Sequence, residues 1–224
     1  GADPLSYYAA QSARRLGEQP WAPPAAAGEV AKVPAVDSAF ARAALLMALG
    51  LDTEARFEYD RLARAATTAG ADTALATAYA FLGAGEPSRA IALAWQIIGR
   101  GAVRDARAYR LAYPVLEREL IDREAKAHDL DPALVAALIR QESSFNPRAT
   151  SPVGARGLMQ LMPSVGKAIA DRRGIAPWDP NLLYQAEVNV PLGVSHLDAF
   201  SRQLGPPERV LAAYNAGNGR VSAW

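Results

Sequence analysis

Apolar residues along this chain recur at helical spacing, alanine is abundant, and runs of β-branched residues are few. Alanine is the strongest helix former, so this pattern predicts an all-α protein. A short helix is predicted over residues 5–16, where Gly17 would end it, and a proline-rich loop that includes Pro34 follows. Four further helical stretches are predicted beyond this loop, over residues 37–49, 52–68, 71–82 and 87–99.

Two glycines interrupt the four stretches at corresponding positions. Gly50 and Gly85 are 35 residues apart, and Ala55 and Ala90 repeat at the same offset. Paired helices at this period are typical of a tetratricopeptide-like solenoid, in which each helix pair packs on the next. A plain helical bundle would accommodate the same spacing, because alanine is so frequent. The sequence leaves both architectures open.

The composition changes beyond Leu111, where alanine becomes sparser and glycines, prolines and polar amides enter. We therefore predict a domain boundary between Leu111 and Pro114. The first domain, residues 1–111, offers helix faces without a cluster of reactive side chains, which indicates a structural role. Candidate chemistry lies in the second domain, residues 112–224.

Charge and composition exclude several classes of function. The 224 residues include 24 Lys plus Arg and 23 Asp plus Glu, and this net charge of +1 argues against a nucleic-acid-binding protein. The absence of cysteine excludes a cysteine nucleophile and a thiolate metal site. His128 and His196 are the only histidines, and we expect them to be surface or packing residues, with no metal and no cofactor. No apolar run reaches the roughly 18 residues that a membrane span requires.

A helix with one unusual position is predicted over residues 131–142. Asp131 is a favourable N-cap, and Pro132 suits the first helical position. Leu138 belongs to the apolar face of this helix, and Glu142 extends that face one turn further. Burial disfavours a charged carboxylate, so the pKa of Glu142 would rise towards the range that a general acid requires. The alternative is a glutamate that turns to solvent at the helix end.

Residues 151–163 combine polar and apolar groups suited to ligand contact. Two glycines allow close approach of the backbone, while Ser151 and Gln160 offer polar groups. Met159, Leu161 and Met162 are either the apolar wall of a ligand site or ordinary core.

A last helix is predicted from about Pro207 to a stop at Gly217. Tyr214 and Asn215 would lie in its final turn, where a phenol and an amide can hydrogen-bond a carboxyl group or a sugar. The alternative is an ordinary helix end packed by an aromatic ring.

Three segments together resemble the catalytic domain of the soluble lytic transglycosylases: ESSFNP at residues 142–147, GARGLMQLMP at 154–163 and AYNAG at 213–217. That family acts on peptidoglycan, and the resemblance implies a goose-type lysozyme-like α domain over about residues 113–224. The preceding helices are similar to the superhelix and linker of larger members. Family members usually continue past the third motif and contribute a later glutamate, so the chain, which stops at Trp224, is expected to hold a C-terminally incomplete domain.

The resemblance assigns roles to individual residues. It implies that Glu142 is the single catalytic acid and base. It implies that Tyr214 bonds the catalytic carboxyl and that Ser151 holds the substrate or the glutamate. The substrate-binding residues that it implies are Ser151, Gln160, Met162, Tyr214 and Asn215.

Two segments depart from the family pattern. Residues 184–190 keep Asn189 but lack the usual Asp-Pro approach to it. His196 stands where a tyrosine often precedes the leucine of a further motif. We expect both departures to affect packing or the wall of a groove rather than chemistry.

The function implied is cleavage of the MurNAc-β-1,4-GlcNAc bond of peptidoglycan with formation of 1,6-anhydromuramic ends. Glycan strands are the expected partner, other cell-wall enzymes are further candidates, and the periplasm or cell envelope is the expected location. One alternative is a goose-type lysozyme-like muramidase, which uses water and a second carboxylate. The other is a noncatalytic helical scaffold that binds glycan or a partner protein.

Overall fold

The computed structural model describes residues 6–19 and 21–221, and this part of the chain is all-α, as predicted. It contains no strand, only two isolated bridges within one loop. A 3-10 helix spans Pro180–Tyr184. The α-helices are α1 (Tyr7–Leu16), α2 (Pro34–Ala48), α3 (Asp52–Ala66), α4 (Ala71–Gly83), α5 (Pro87–Gly99), α6 (Ala106–Ala112), α7 (Arg118–Ala127), α8 (Pro132–Ser143), α9 (Pro163–Arg172), α10 (Ala186–Leu204), α11 (Pro207–Ala216) and α12 (Asn218–Val221).

The chain divides into two compact units between Tyr113 and Pro114, with the short segment Glu86–Ser88 grouped with the second unit. Helices α1 to α6 belong to the first unit, apart from Pro87 and Ser88 at the start of α5, and α7 to α12 belong to the second. The candidate chemistry predicted from the sequence falls within the second unit.

Helix pairs in the first unit repeat their local geometry. α2 and α4 are followed by Gly50 and Gly85, both at φ 74°. A left-handed φ costs glycine little, so these residues end one helix and redirect the chain into the next. Ala55 and Ala90, which share the same offset, are both buried. The glycines end helices as the offset predicts, and the choice between a solenoid and a plain helical bundle stays a prediction.

The start of α2 differs from the prediction. The helix begins at Pro34, three residues earlier than the predicted residue 37, so the assignment of Pro34 to the loop is wrong. Proline lacks an N–H and has a helical φ, and the first helical turn needs no donor at that position. Pro34, which breaks a helical pattern when it lies inside a helix, here begins one.

The core of the first unit combines alanines with aromatic rings. Ala43 and Ala78 are completely buried. Phe40, Tyr59 and Phe81 surround one another with ring centroids 5.0 to 5.8 Å apart. Small side chains let helix axes approach, and edge-to-face rings fill the space that remains.

Asp105 ties α6 to the proline-rich loop. Its carboxylate caps α6 by accepting the N–H of Arg107 at 2.9 Å, and it also accepts the N–H of Ala27 at 3.3 Å. The Arg107 guanidinium bonds the same carboxylate at 2.7 Å. These bonds, led by the Arg107 side chain, lower the pKa of Asp105 to about 2.

The second unit is built around α10, which contacts α7, α9, α11 and the 3-10 helix. Val190, Val194 and Leu197 of α10 are completely buried. They share a core with Ile121 of α7 and Ile139 of α8. This core fixes the ends of α8 and α11, where several of the predicted site residues lie.

Candidate active site

Glu142 lies in the last turn of α8. Asp131 caps the first turn of this helix by accepting the N–H of Ala133 at 2.8 Å. The helix ends abruptly because Ser144 and Phe145 both adopt left-handed φ values, 51° and 59°. Such values are uncommon for residues other than glycine, and the buried ring of Phe145 anchors the turn.

The carboxyl of Glu142 is partly buried. Burial raises the pKa of Glu142 above its ordinary value of 4.5, because desolvation disfavours the carboxylate. In the described part of the chain, no cation pairs with Glu142 to oppose this effect. The group has the environment of a general acid.

The loop that follows α8 folds on itself at Ser151. The Ser151 hydroxyl accepts the N–H of Ala155 at 3.0 Å, and the Ser151 N–H donates to the Ala155 carbonyl at 2.9 Å. Isolated bridges join Thr150 to Arg156 and Arg156 to Leu161. The structure therefore places the Ser151 hydroxyl within its own loop, where it accepts a bond that braces the turn.

Gln160 closes the same loop from inside. Its φ is 48°, in the left-handed region. Its Nε2 donates to the carbonyls of Ala149 at 3.2 Å and Gly157 at 2.9 Å. Both amide hydrogens thus stabilise the loop backbone.

The Met159, Leu161 and Met162 cluster divides between core and surface. Met159 and Leu161 are buried, as expected for core residues. Met162 is 38% exposed and is the N-cap residue of α9. Met162 is the member of the cluster that a ligand can reach.

Asn189 of α10 is a central residue to which the sequence pattern assigned no role at the site. It is completely buried, and its Oδ1 accepts the N–H of Met159 at 2.8 Å. Its Nδ2 donates to the carbonyls of Arg156 at 2.9 Å and Leu183 at 2.8 Å. A Cβ at Gly157 would lie 2.4 Å from this Nδ2, so glycine is required for the loop to reach the amide. In the sequence, the one sign of this role is that Asn189 stands between Val188 and Val190 in an amphipathic helix.

Tyr214 of α11 is placed beside this loop. Its hydroxyl donates to the carbonyl of Met159 at 2.8 Å, so its proton points to Met159 and not to Glu142. Burial raises the pKa of Tyr214, and the negative charge of Glu142 raises it further. Glu142 and Tyr214 are therefore close enough for the charge of one to act on the other.

Neighbours of Tyr214 complete the arrangement. Its ring lies 5.5 Å from that of His196, which packs in turn on Phe200 at 4.5 Å. Burial, with a smaller contribution from Arg172, lowers the pKa of His196. Asn215 is exposed, in the last turn before Gly217 ends α11 as predicted.

Other carboxylates of the second unit have structural partners or exposed positions. Asp171 pairs with Lys167 at 2.7 Å, and Asp198 pairs with Arg202 at 2.9 Å. Asp179 caps the 3-10 helix. Glu187 and Glu208 stand exposed in the first turns of α10 and α11.

A concavity of about 360 Å³ lies in the second unit without including any of the predicted site residues. It is lined by Glu117, Arg118, Glu119, Leu120, Arg123 and Glu187. Within the described residues, no cluster of three histidine or acidic side chains is placed to hold a metal ion. None of the helices described is both long and apolar enough to cross a membrane.

Residues 119–224 match the sequence model of the Transglycosylase SLT domain. This range includes all three motifs and every predicted site residue, so the family resemblance is confirmed for this half of the chain.

Curated relatives agree with the domain match. The soluble lytic murein transglycosylase of Salmonella typhimurium is 38% identical over 120 residues, and that of Escherichia coli K12 is 36% identical over 115 residues. Each alignment covers 50% of this chain and 18% of the relative. The aligned segment thus spans less than a fifth of the length of these relatives.

Solved structures extend the similarity to 97% of the chain. The 70 kDa soluble lytic transglycosylase of Escherichia coli has a TM-score of 0.79 at 27% identity, and 34% of its chain is covered. An inactive Glu-to-Gln variant of the lytic transglycosylase Slt of Pseudomonas aeruginosa has a TM-score of 0.76 at 30% identity, with the same shares covered. The predicted all-α, lysozyme-like fold is confirmed.

Proposed function

We propose that the second unit is a peptidoglycan lytic transglycosylase in which Glu142 acts first as an acid and then as a base. The observation that carries this proposal is the raised pKa of a partly buried Glu142 beside Tyr214, within the segment that matches the SLT domain. The relatives named as lytic transglycosylases support the reaction class. The inactive Glu-to-Gln variant of the Pseudomonas enzyme supports an essential glutamate.

The proposed reaction begins when Glu142 protonates the glycosidic oxygen between N-acetylmuramic acid and N-acetylglucosamine. The bond from this oxygen to C1 of the muramic residue breaks, and the 2-acetamido oxygen of the same residue stabilises the positive charge at C1. Glu142, now a carboxylate, takes the proton of the muramic C6 hydroxyl. The C6 oxygen forms its bond to C1 at the same time. The product is a 1,6-anhydromuramic end, the proton is back on Glu142, and no water is consumed.

A single carboxylate distinguishes this proposal from ordinary hydrolysis. Retaining and inverting glycosidases pair two carboxylates about 5 to 9.5 Å apart. Burial alone accounts for the raised pKa of Glu142, without a second acidic group. Asp171, Asp179 and Asp198 are engaged elsewhere. These observations favour a nucleophile supplied by the substrate.

The substrate-binding roles divide according to exposure. Met162 and Asn215 are exposed, and we propose that they contact the glycan directly. Ser151 and Gln160 bond their own loop, and in our proposal they shape the groove and meet the sugar with their remaining polar atoms. Tyr214 contacts the sugar or the carboxyl of Glu142 from the end of α11.

For the whole protein we propose a location in the periplasm or cell envelope, with peptidoglycan strands as the substrate and other cell-wall enzymes as candidate partners. The bacterial relatives named for murein support this location. The first unit, about residues 1–111, would serve as the helical linker that carries the catalytic domain. Its alanine-packed helix pairs suit such a role.

The test is product mass after digestion of purified peptidoglycan. Anhydro ends, lighter than hydrolysed ends by one water, are expected. The Glu142→Gln variant should lose about a hundredfold or more of the rate, because it keeps the shape and lacks the proton. Glu208→Gln, at an exposed position, is the matched control and should keep the rate. Hydrolysed ends alone would establish the muramidase alternative, and glycan binding without cleavage would establish the scaffold.

A further inference from the structure

Arg156 carries a positive charge that no carboxylate of the described chain neutralises. Its Nη1 donates to Asn181 Oδ1 at 3.1 Å, and its guanidinium lies over the ring of Tyr184, 5.4 Å from the centroid. By contrast, Arg123 and Arg202 bond carboxylates at 3.1 Å and 2.9 Å. The charge of Arg156 is therefore held by a neutral amide and an aromatic face.

The guanidinium of Arg156 has more donors than the protein uses. Arginine has five N–H donors and no acceptor. One donor goes to Asn181, the Nε donor is enclosed without a partner, and Nη2 is accessible and makes no bond within the described residues. Leaving an enclosed donor unpaired costs folding free energy. Hydrogen bonds within the protein therefore do not account for an arginine at this position.

Neighbouring side chains add further donors and no negative charge. Asn181 uses its Oδ1 for Arg156, so its Nδ2 has no partner in the part of the chain that is described. The hydroxyls of Thr150 and Tyr184 lie 2.7 Å apart, so one donates to the other and the accepting hydroxyl keeps its own proton free. Thr150 and Asn181 are exposed. These four residues, here called the Arg156 cluster, form an accessible set of donors around one cation.

The loop holds the Arg156 cluster close to a residue that a ligand can reach. Isolated bridges pair Arg156 with Thr150 and with Leu161, and the Arg156 carbonyl accepts the amide of the buried Asn189 at 2.9 Å. Residues paired in this way have Cα atoms about 4.5 to 5.5 Å apart. Because the exposed Met162 follows Leu161, its Cα lies within about 9 Å of that of Arg156. A ligand at Met162 is therefore within reach of the Arg156 side chain.

We propose that the Arg156 cluster binds a carboxylate carried by the muramic residues of the glycan and so favours strands that bear this charge. The two coplanar oxygens of a carboxylate match the fork of a guanidinium, and amide and hydroxyl donors beside the fork complete the site. This carboxylate is either the free lactyl group of the sugar or part of the peptide attached to it. The inference rests on the proposed function, because it takes the glycan as the ligand of Met162.

The experiment measures binding of short glycans to the full chain carrying Glu142→Gln, so that cleavage does not compete. Two matched pairs of ligands are used. In one pair the glycan bears its peptide, with the carboxyls either free or converted to amides. In the other pair the peptide is absent, and the lactyl group is either a carboxylate or an amide.

The charged member of at least one pair should bind about three- to tenfold more tightly than its amide. A preference in the peptide pair assigns the carboxylate to the peptide, and a preference in the lactyl pair assigns it to the sugar. The preference should shrink at high salt, because exposed charges are screened. Equal binding within both pairs overturns the proposal.

Asn181→Asp is the sharpest variant, because it places a carboxylate of the chain itself against Arg156. It leaves the size of the side chain unchanged and gives the arginine an ion pair, so the Tm should not fall, yet the preference for the charged ligand should disappear. Arg156→Gln should abolish the preference as well, by removing the cation. A preference that survives in either folded variant contradicts the proposed site.

Arg148→Gln is the matched control, because it removes another exposed positive charge from the same loop. It should keep the preference, and an equal loss there would assign the effect to general attraction of charge and overturn the proposal. Asp179 bonds the Asn181 N–H at 2.8 Å and is the acidic residue nearest in sequence to the cluster. Asp179→Asn keeps a capping oxygen and should strengthen binding of the charged ligand.

Failure of the proposed function would have a different signature. A chain that binds none of the four glycans, and whose Glu142 form cleaves none, contradicts both the proposed function and this site. Binding of all four without distinction by charge contradicts the carboxylate site alone and leaves the proposed function standing.

Discussion

Every residue with positive φ in the described part of the first unit is a glycine, whereas the second unit contains five such residues of other types. These are Glu117, Asp129, Ser144, Phe145 and Gln160. Two of them directly follow the last turn that holds Glu142, and a third closes the candidate-site loop. A left-handed φ costs a residue other than glycine about 1 to 2 kcal/mol. The second unit therefore stores local strain at its candidate site, as functional sites often do.

The two units also differ in how they are held together. Alanine and aromatic packing dominates the first, as at Ala43 and Phe81. In the second, the buried amide of Asn189 holds three backbone groups of other segments. Apolar packing tolerates small shifts, whereas hydrogen-bonded peptides fix atomic positions. The first unit, with its regular packing, is suited to a supporting role. The second unit, with its strained and hydrogen-bonded loops, is suited to holding reactive groups in place.

Two matched glycine substitutions, one in each unit, are expected to give the largest difference in the free energy of unfolding. Gly157 and Gly85 have nearly the same φ, 75° and 74°. A Cβ at Gly157 would lie 2.0 Å from the Leu183 carbonyl, but one at Gly85 would meet open space. Gly157→Ala should cost about 3 to 5 kcal/mol from overpacking plus strain, and Gly85→Ala about 1 kcal/mol from strain alone.

Thermal unfolding with hydrogen exchange of peptides from each unit measures both costs. Loss of protection should be confined to the unit that carries the substitution. Equal costs at Gly157 and Gly85 would mean that the loop relaxes around the added methyl group, and the contrast in rigidity between the units would be lost.

A smaller effect is expected when the first unit is acidified. The folded pKa of Asp105, about 2, lies below its ordinary value of 3.8. Its contribution to stability is thus complete above about 3.8 and is lost as the pH falls towards 2. Asp105→Ala should cost about 2 kcal/mol at neutral pH, because it removes a helix cap and a bond to the loop.

Trp21 reports this change, because its ring lies 5.0 Å from that of Tyr109 on α6. Its fluorescence should respond as the loop is released by acid or by Asp105→Ala. Asp37→Ala, at an exposed position in the first turn of α2, is the control and should change little. An acid response that persists in full in Asp105→Ala would assign it to another group.

The smallest effect, of opposite sign, is expected at Glu142. Its raised pKa means that the folded protein favours the protonated form of Glu142. The contribution of this group to folding stability is therefore present in acid and is lost as the pH rises above the ordinary value of 4.5. Glu142→Gln should therefore raise the Tm at neutral pH and have no such effect in acid. Thermal melts across this range measure the difference, with Glu208→Gln as the control. A lower Tm at neutral pH would reveal a group that stabilises the carboxylate.

Local signals in the sequence were sufficient to predict much of the helical framework. Gly50, Gly85 and Gly217 marked helix ends, and the Asp131 cap marked the start of α8. These features act within a few residues, so the sequence pattern contains them. The start of α2 at Pro34 was missed because proline both interrupts and initiates helices.

The contacts of the site were beyond such signals. The bond from Tyr214 to the Met159 carbonyl spans 55 residues, and that from Asn189 to Met159 spans 30. No periodic pattern encodes which backbone carbonyl a buried side chain meets. The motifs identified Glu142 and Tyr214 as candidates, but the Asn189 amide emerged only from the fold.

The length of α8 determines where the Glu142 carboxyl lies. The Asp131 cap fixes where the helix begins, and the left-handed residues Ser144 and Phe145 fix where it ends. The number of residues between these two points therefore sets the direction in which Glu142 points. Each residue advances an α-helix by about 100° around its axis. One inserted residue would swing the Glu142 carboxyl by that angle, away from Tyr214, even if the helix formed equally well. Because Ile139 of α8 and Phe145 beyond it are buried in the core, an insertion into α8 should disturb folding and chemistry together.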